Sequence, residues 1–294
     1  MKTPMAGMSY RKIAFVMTLA AASALLALSP ATAQGFSVAY DTTEFIVQPG
    51  GRFVATFTVT NLSEEFKTIR IYAGDWVRIP GQTSGYEFRE DGSDEPRSFL
   101  AWMTFSPDRM ELEGGEAEQV YCEVNVPDDT TLDGSYWGVI FIEAVPSGDG
   151  ELPVPEEEGM QVGILTVFRY AIQVFATIEG TEVRQATFTS LDFRQEEGGF
   201  DVVAVMQNLG NIFMRPEVWL EIHDTSGAKV YEQEYVRQTV LPESAREYVF
   251  ELRELPIEPG SYLVMVIADY GVPELIAAQS RIDLVAEESV PGEE

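Results

Sequence analysis

The chain has 294 residues, with 19 Lys and Arg against 48 Asp and Glu, a formal charge of −29 at pH 7 with its one histidine neutral. That excess repels polyanions and argues against DNA, RNA or an anionic membrane leaflet as a partner. A single cysteine, Cys122, permits no intramolecular disulfide, and a single histidine, His223, permits no zinc site built on several histidines.

Residues 1–33 read as a cleaved secretory signal peptide. Lys2, Arg11 and Lys12 give a positive start, Ile13 to Leu28 a short apolar run, and Ala31-Thr32-Ala33 a small-residue cleavage pattern. The apolar run is shorter than a spanning helix needs, and no later stretch reaches that length without a charge or a breaker. The mature chain is expected to start near Gln34, in the periplasm or outside the cell, with 16 basic against 48 acidic residues and a charge of −32.

From Phe36 onward, period-two alternation replaces helical periodicity. Phe53, Ala55, Phe57 and Val59 share one face, and Ile69, Ile71 and Leu112 continue the pattern. Val120, Cys122, Val124 and Val126 place the lone thiol on a buried strand face, where it serves as a small hydrophobe. Pro49-Gly50-Gly51, Asp91-Gly92, Gly114-Gly115, Pro127-Asp128-Asp129, Gly198-Gly199, Ser226-Gly227 and Pro259-Gly260 punctuate these runs with turn chemistry. Short strands separated by such turns, with no helices between them, predict antiparallel sandwiches.

Pro146 to Gly159 reads as a mobile acidic loop. After it, Met160, Val162, Ile164, Phe168, Tyr170, Ile172, Val174 and Ile178 share one parity, which predicts a long strand with one apolar face. The ordinary meaning of such a face is contact with the core of a sandwich. A first domain over 34–180 and a second over 181–285 are expected, with an acidic disordered tail over 286–294.

A weak internal repeat supports two copies of one plan. Thr60-Asn61-Leu62 and Gln207-Asn208-Leu209 each close an alternating run, and Gly134-Ser135-Tyr136 and Gly260-Ser261-Tyr262 each open a later strand, in the manner of the tyrosine corner of immunoglobulin-like folds. The fold class is therefore all-β, two tandem immunoglobulin-like β-sandwiches after the signal peptide.

Chemistry-bearing motifs are sparse, and no catalytic residue, metal ligand or cofactor is assigned; the chain does not read as an enzyme. Ser226-Gly227-Ala228-Lys229 matches a Ser-x-x-Lys string, but it falls in the hairpin-like turn Asp224-Thr225-Ser226-Gly227 rather than at a helix start. The acidic run Glu90 to Glu95 fits no calcium-loop spacing, and Glu156-Glu157-Glu158 reads as solvated loop charge. His223 is expected to face solvent beside Trp219 and Glu221, without partners. Trp76, Trp102, Trp137 and Trp219 could stack on sugar rings, although covering the ends of the core is the usual role of such residues.

The order of Asn61, Phe99 to Pro107, Met110-Glu111-Leu112 with Gly114-Gly115, and Val124-Asn125-Val126-Pro127 resembles the first domain of periplasmic pilus-assembly chaperones, the PapD-like superfamily. Phe168 to Phe175 looks like the long seventh strand of that domain. The same order is similar to two-domain cell-wall proteins that bind tryptophan-x-leucine surface proteins. The second half, with Asn208-Leu209-Gly210-Asn211, Arg215-Pro216 and Asp224 to Gly227, resembles generic bacterial immunoglobulin-like modules.

The chaperone resemblance implies that Val162, Ile164, Phe168, Arg169, Tyr170, Ile172, Gln173 and Val174 form an edge strand that completes an unfinished partner polypeptide by strand addition. It also implies a basic pair anchoring the client's terminal carboxylate. Here the first strand, Phe36 to Val47, holds no basic residue, Gln173 stands where the family's lysine is expected, and Arg169 is the only cation on the seventh strand. The expected partner is an extracytoplasmic protein or surface-protein subunit. The other function consistent with the sequence is a cell-envelope scaffold or adhesion module that binds cell-wall glycan or a surface protein.

Overall fold

The computed structural model describes residues 35–284, apart from 80, 81, 91, 93, 146–166, 236 and 254. The expected signal peptide over 1–33, the expected loop over 146–159, Val162, Ile164 and the expected tail over 286–294 lie outside the described residues. Within them the chain is built from strands joined by turns, with one short 3-10 turn at Leu100–Trp102.

The first sandwich comprises β1 (Phe36–Tyr40), β2 (Glu44–Val47), β3 (Arg52–Asn61), β4 (Lys67–Arg78), β5 (Tyr86–Arg89), β6 (Met103–Ser106), β7 (Arg109–Leu112), β8 (Ala117–Asn125), β9 (Ser135–Val145) and β10 (Arg169–Ile178). One sheet runs β1-β3-β8-β6. The facing sheet runs β2-β10-β9-β4-β5, with β7 also paired to β4. The segment Phe36 to Val47, expected as one strand, is two: β1 pairs antiparallel with β3, then the chain crosses at Asp41–Thr43 and β2 pairs parallel with β10 in the opposite sheet.

Alternation dictates the core between these sheets. Ala55, Phe57 and Val59 of β3, Val120, Cys122 and Val124 of β8, and Ile140 and Ile142 of β9 meet in one buried cluster. β9 is also apolar on its other face, where Trp137, Val139 and Phe141 join Trp76, Phe175 and Leu241 in a second cluster. A strand covered on both faces reads as a continuous apolar run rather than an alternating one, as Tyr136 to Ile142 does.

The second sandwich comprises β11 (Ala186–Glu196), β12 (Gly199–Asn208), β13 (Glu217–His223), β14 (Lys229–Glu234), β15 (Ala245–Arg253), β16 (Gly260–Asp269) and β17 (Ile276–Leu284). Sheet β11-β12-β15 faces sheet β14-β13-β16-β17 across a core that includes Val202, Ala204, Met206, Leu220, Ile222, Phe250, Val264 and Val266. The turn Asp224 to Gly227 joins β13 to β14 as a hairpin. Gly227 sits at φ 86°, and the Asp224 carboxylate accepts the Ser226 amide (2.8 Å) and the Ala228 amide (3.0 Å).

The two late Gly-Ser-Tyr strings both open strands, β9 and β16, but they differ in detail. Gly134 needs its freedom, because φ is 63° and an added Cβ would lie 2.1 Å from the Asn211 carbonyl oxygen. Tyr262 supplies the tyrosine-corner contact, its hydroxyl donating to the Glu258 carbonyl at 2.6 Å.

The joint between the sandwiches is packed rather than linked by a bare hinge. The Phe175 and Phe213 rings stack 4.0 Å apart, the Ser135 amide donates to the Asn211 carbonyl (2.9 Å), and Arg78 donates to the Glu243 carbonyl (2.7 Å). The hydroxyls of Tyr86 and Ser244 are 3.0 Å apart.

Candidate strand-addition edge

β10 is bonded unequally on its two sides. Arg169 to Thr177 pair antiparallel with β9 over nine positions, whereas only Phe175 to Ile178 pair with β2. The direction of each backbone group follows from three bonds. The Ala144 amide donates to the Phe168 carbonyl (3.2 Å) and the Ile178 amide to the Gly134 carbonyl (2.8 Å), so even-numbered residues from 168 to 178 turn their N–H and C=O toward β9. The Phe175 amide donates the other way, to the Thr43 carbonyl at 2.7 Å, so odd-numbered residues turn theirs outward. No strand among the described residues pairs with the outward side of Arg169, Ala171 and Gln173. The cause is the crossing of the first segment: β1 belongs to the other sheet, and β2 reaches this row only at Glu44.

The sequence-predicted residues fall into three groups on this strand. Ile172 and Val174 point into the sandwich core and are buried, which is the ordinary fate of one apolar parity. Phe168 and Tyr170 share that parity at the open end of the sandwich and remain 44% and 38% exposed. Tyr170 caps the core edge, its ring 5.2 Å from Phe36 in an edge-on contact and its hydroxyl donating to the Phe36 carbonyl (3.3 Å). Arg169 and Gln173 lie on the outer face of the sheet.

Arg169 is already engaged. Its guanidinium pairs with Glu90, donates to the Tyr72 hydroxyl (3.2 Å) and lies 4.5 Å over the Phe141 ring. Burial raises the Tyr72 hydroxyl pKa even though Arg169 pulls the other way.

Sequence reasoning missed the outer face of β10. Phe175 breaks the apolar parity, and that odd-parity aromatic was the available signal: it stacks on Phe213 and lies under Arg215, whose guanidinium carbon is 5.3 Å from each of the two rings. Arg215 pairs with Glu44 and donates from Nε to the Thr239 hydroxyl at 3.0 Å, and burial lowers its pKa. Nothing in the sequence around Arg215 marks it as a neighbour of the first strands.

Other candidate chemistry sorts into structural roles. Trp76 and Trp137 are buried at the joint, with the Trp137 indole donating to the Trp76 carbonyl (2.8 Å), and Trp102 packs against the first core beside Tyr136. Trp219 is half-buried and donates to Glu221 (3.1 Å). His223 does have partners, contrary to expectation: Nε2 is 2.7 Å from Glu221 and Nδ1 is 3.2 Å from the Gly227 carbonyl. Among the described residues no group of three or more His, Cys, Asp or Glu is placed to hold a metal ion, and no helix is long and apolar enough to cross a membrane.

The class that this architecture defines is a tandem pair of immunoglobulin-like β-sandwiches. No family model matches the chain, and no curated protein matches it. Solved structures of PapD-like fimbrial periplasmic chaperones do resemble it over most of its length, at low identity. A chain from a chaperone–tip adhesin complex of CFA/I fimbriae is 14% identical, with a TM-score of 0.43, covering 84% of this chain and 98% of that one. The E. coli chaperone DraB is 16% identical, with a TM-score of 0.38 and coverage of 85% and 97%. A chain from the CsuC–CsuE chaperone–tip subunit pre-assembly complex of Acinetobacter baumannii Csu pili is 12% identical, with a TM-score of 0.43 and coverage of 84% and 97%.

Proposed function

We propose that the protein is an extracytoplasmic chaperone-like or assembly protein that receives an extended segment of a partner polypeptide as an added strand on β10. It works as two domains, 34–180 and 181–285. The single observation that supports this reading is the row of outward backbone groups at Arg169, Ala171 and Gln173, on a strand whose other side is fully paired. An unpaired strand edge is a template for another chain, and soluble proteins usually blunt it with charge, proline or a covering element. Here the one charged side chain on the open stretch, Arg169, is drawn back onto Phe141 and Glu90, and among the described residues no strand covers the backbone row.

Affinity on such an edge comes from main-chain bonds, and selectivity from the apolar contacts of Phe168 and Tyr170. With Arg169 committed to Glu90, the binding does not depend on that cation capturing a carboxylate. The test is amide hydrogen exchange of the exported protein with and without synthetic ten-residue peptides of alternating valine and serine. The Ala171 and Gln173 amides are expected to exchange fast in the free protein and to become protected on binding. Peptide binding that protects only other segments would sink the reading.

A further inference from the structure

The two ends of β2 are fastened differently. Its far end is tied to the chain that leaves β10: the Glu179 amide donates to the Val47 carbonyl (2.8 Å), and Gln48 donates to the Glu179 carboxylate (2.9 Å). Its near end, which abuts the open edge, has little burial of its own. Glu44 is exposed, Ile46 is 71% exposed, and only Phe45, stacked 4.0 Å from Phe53, reaches the core from this half. What holds the near end on the outer face comes from the second sandwich. Arg215 pairs with Glu44, is fixed by the Thr239 hydroxyl, and rests on the Phe175–Phe213 stack directly beside the bond from the Phe175 amide to the Thr43 carbonyl.

We propose that Arg215 is a positioning residue that sets the length of the open edge, by pinning the start of β2 against Phe175. The inference rests on the strand-addition reading and adds a specificity rule to it. A strand added in the row of β2 has six residues of β10 to pair with, Arg169 to Val174, and then meets Thr43 and Glu44. Further extension would have to displace β2 from Phe175 to Ile178, and the pin opposes that. The second sandwich thereby limits how much client chain the first one accepts, although its own strands take no part in the row.

The experiment compares wild type, Arg215→Ala, Arg215→Lys and Glu44→Gln, using labelled peptides of six and ten residues with alternating valine and serine, together with amide exchange over 44–47. In wild type the two peptides should bind within about twofold of each other, since beyond Val174 the added strand meets Thr43 and Glu44 in place of open backbone. In Arg215→Ala the ten-residue peptide should bind about tenfold tighter than the six-residue one, and the Phe45 and Val47 amides, which face β10, should exchange about tenfold faster. Arg215→Lys should fall between, because an ammonium keeps the ion pair but lacks the planar stack. If Arg215→Ala does not fold, Glu44→Gln removes only the ion pair and should show the same trend. Unchanged length discrimination with unchanged β2 exchange in a folded variant would overturn the pin. Failure of both peptides on wild type would instead overturn the strand-addition reading, and β2 exchange in the variants would still decide whether Arg215 holds the strand.

Discussion

Asn61 and Asn208 occupy equivalent places in the two sandwiches. Each ends a strand, each is fully buried, and each donates through Nδ2 to three backbone carbonyls while its Oδ1 accepts the amide two residues on. The carboxamide is the side chain that can do both, and it closes the turn where the strand stops. Asn208→Ala strips the donors from the Ile212, Val240 and Leu241 carbonyls. A loss of about 3 kcal/mol is expected, lowering the melting temperature by roughly 6–12 °C at this chain length. Calorimetry of wild type and variant checks it, and Asn208→Asp, which cannot donate, should do no better.

Proline distinguishes the two sides of β10. Ala171 turns its amide away from β9, so Ala171→Pro removes no ladder bond and should leave melting within a few degrees of wild type while abolishing peptide uptake on the edge. Ile172→Pro removes an amide that points to β9 from a buried position, and is expected to unfold the sandwich. Thermal melts and peptide binding of both variants test the assignment of inward and outward groups.

The thiol of Cys122 is fully buried between β3 and β6, and burial pushes its pKa up to about 12. Only the thiolate is an effective nucleophile, so the native protein should stay unmodified by a disulfide reagent at neutral pH and react with one equivalent once denatured. Rapid native modification would show that the strand face opens.

His223 and Glu221 give a pH signature with a definite sign. Both ring nitrogens face acceptors, so the protonated imidazole satisfies both contacts, and the Glu221 carboxylate raises the His223 pKa above 6.5. His223 in turn lowers the Glu221 pKa below 4.5. The histidine's contribution is fully present below its unfolded pKa and is lost as pH rises through the raised folded value; that of Glu221 is present above 4.5 and is lost as pH falls through its lowered value. His223→Gln should therefore lower the melting temperature more at about pH 5.5 than at about pH 8.5. A pH-independent difference would refute the coupling.

Gly134→Ala tests the joint. The added methyl would meet the Asn211 carbonyl at 2.1 Å, on a backbone with φ 63°, and would break the bond from the Ser135 amide to Asn211. The expected result is a loss of about 2–3 kcal/mol together with a larger radius of gyration, as the sandwiches separate before either unfolds. Small-angle scattering and calorimetry read the two effects separately.

Much of the fold was legible because sandwich strands write their orientation into every second residue. The β3 and β8 faces appear in the sequence as they pack, and the repeated Asn-Leu strings mark the two buried carboxamides. What escaped was set by contacts across the chain. The break at Asp41–Thr43 leaves no strong turn signal, yet it sends β1 and β2 to opposite sheets. The outer faces of β9 and β10 are apolar because a second sandwich covers them, and alternation in one strand cannot announce a cover supplied by Phe213 and Leu241. For the candidate site, parity gave Ile172 and Val174 the same standing as Phe168 and Tyr170, which the depth of the core separates.

The division of the first segment between two sheets also governs when this molecule can close. Glu44 to Val47 find their row only beside Phe175 to Ile178, at the far end of the sandwich in sequence. A chain emerging amino end first during synthesis would thus carry β2 without a neighbour until almost the whole first sandwich had emerged, and the lock on that sheet would be a late, long-loop event in folding. The rate at which the chain emerges and the rate at which it matures are then coupled through a stretch of four residues.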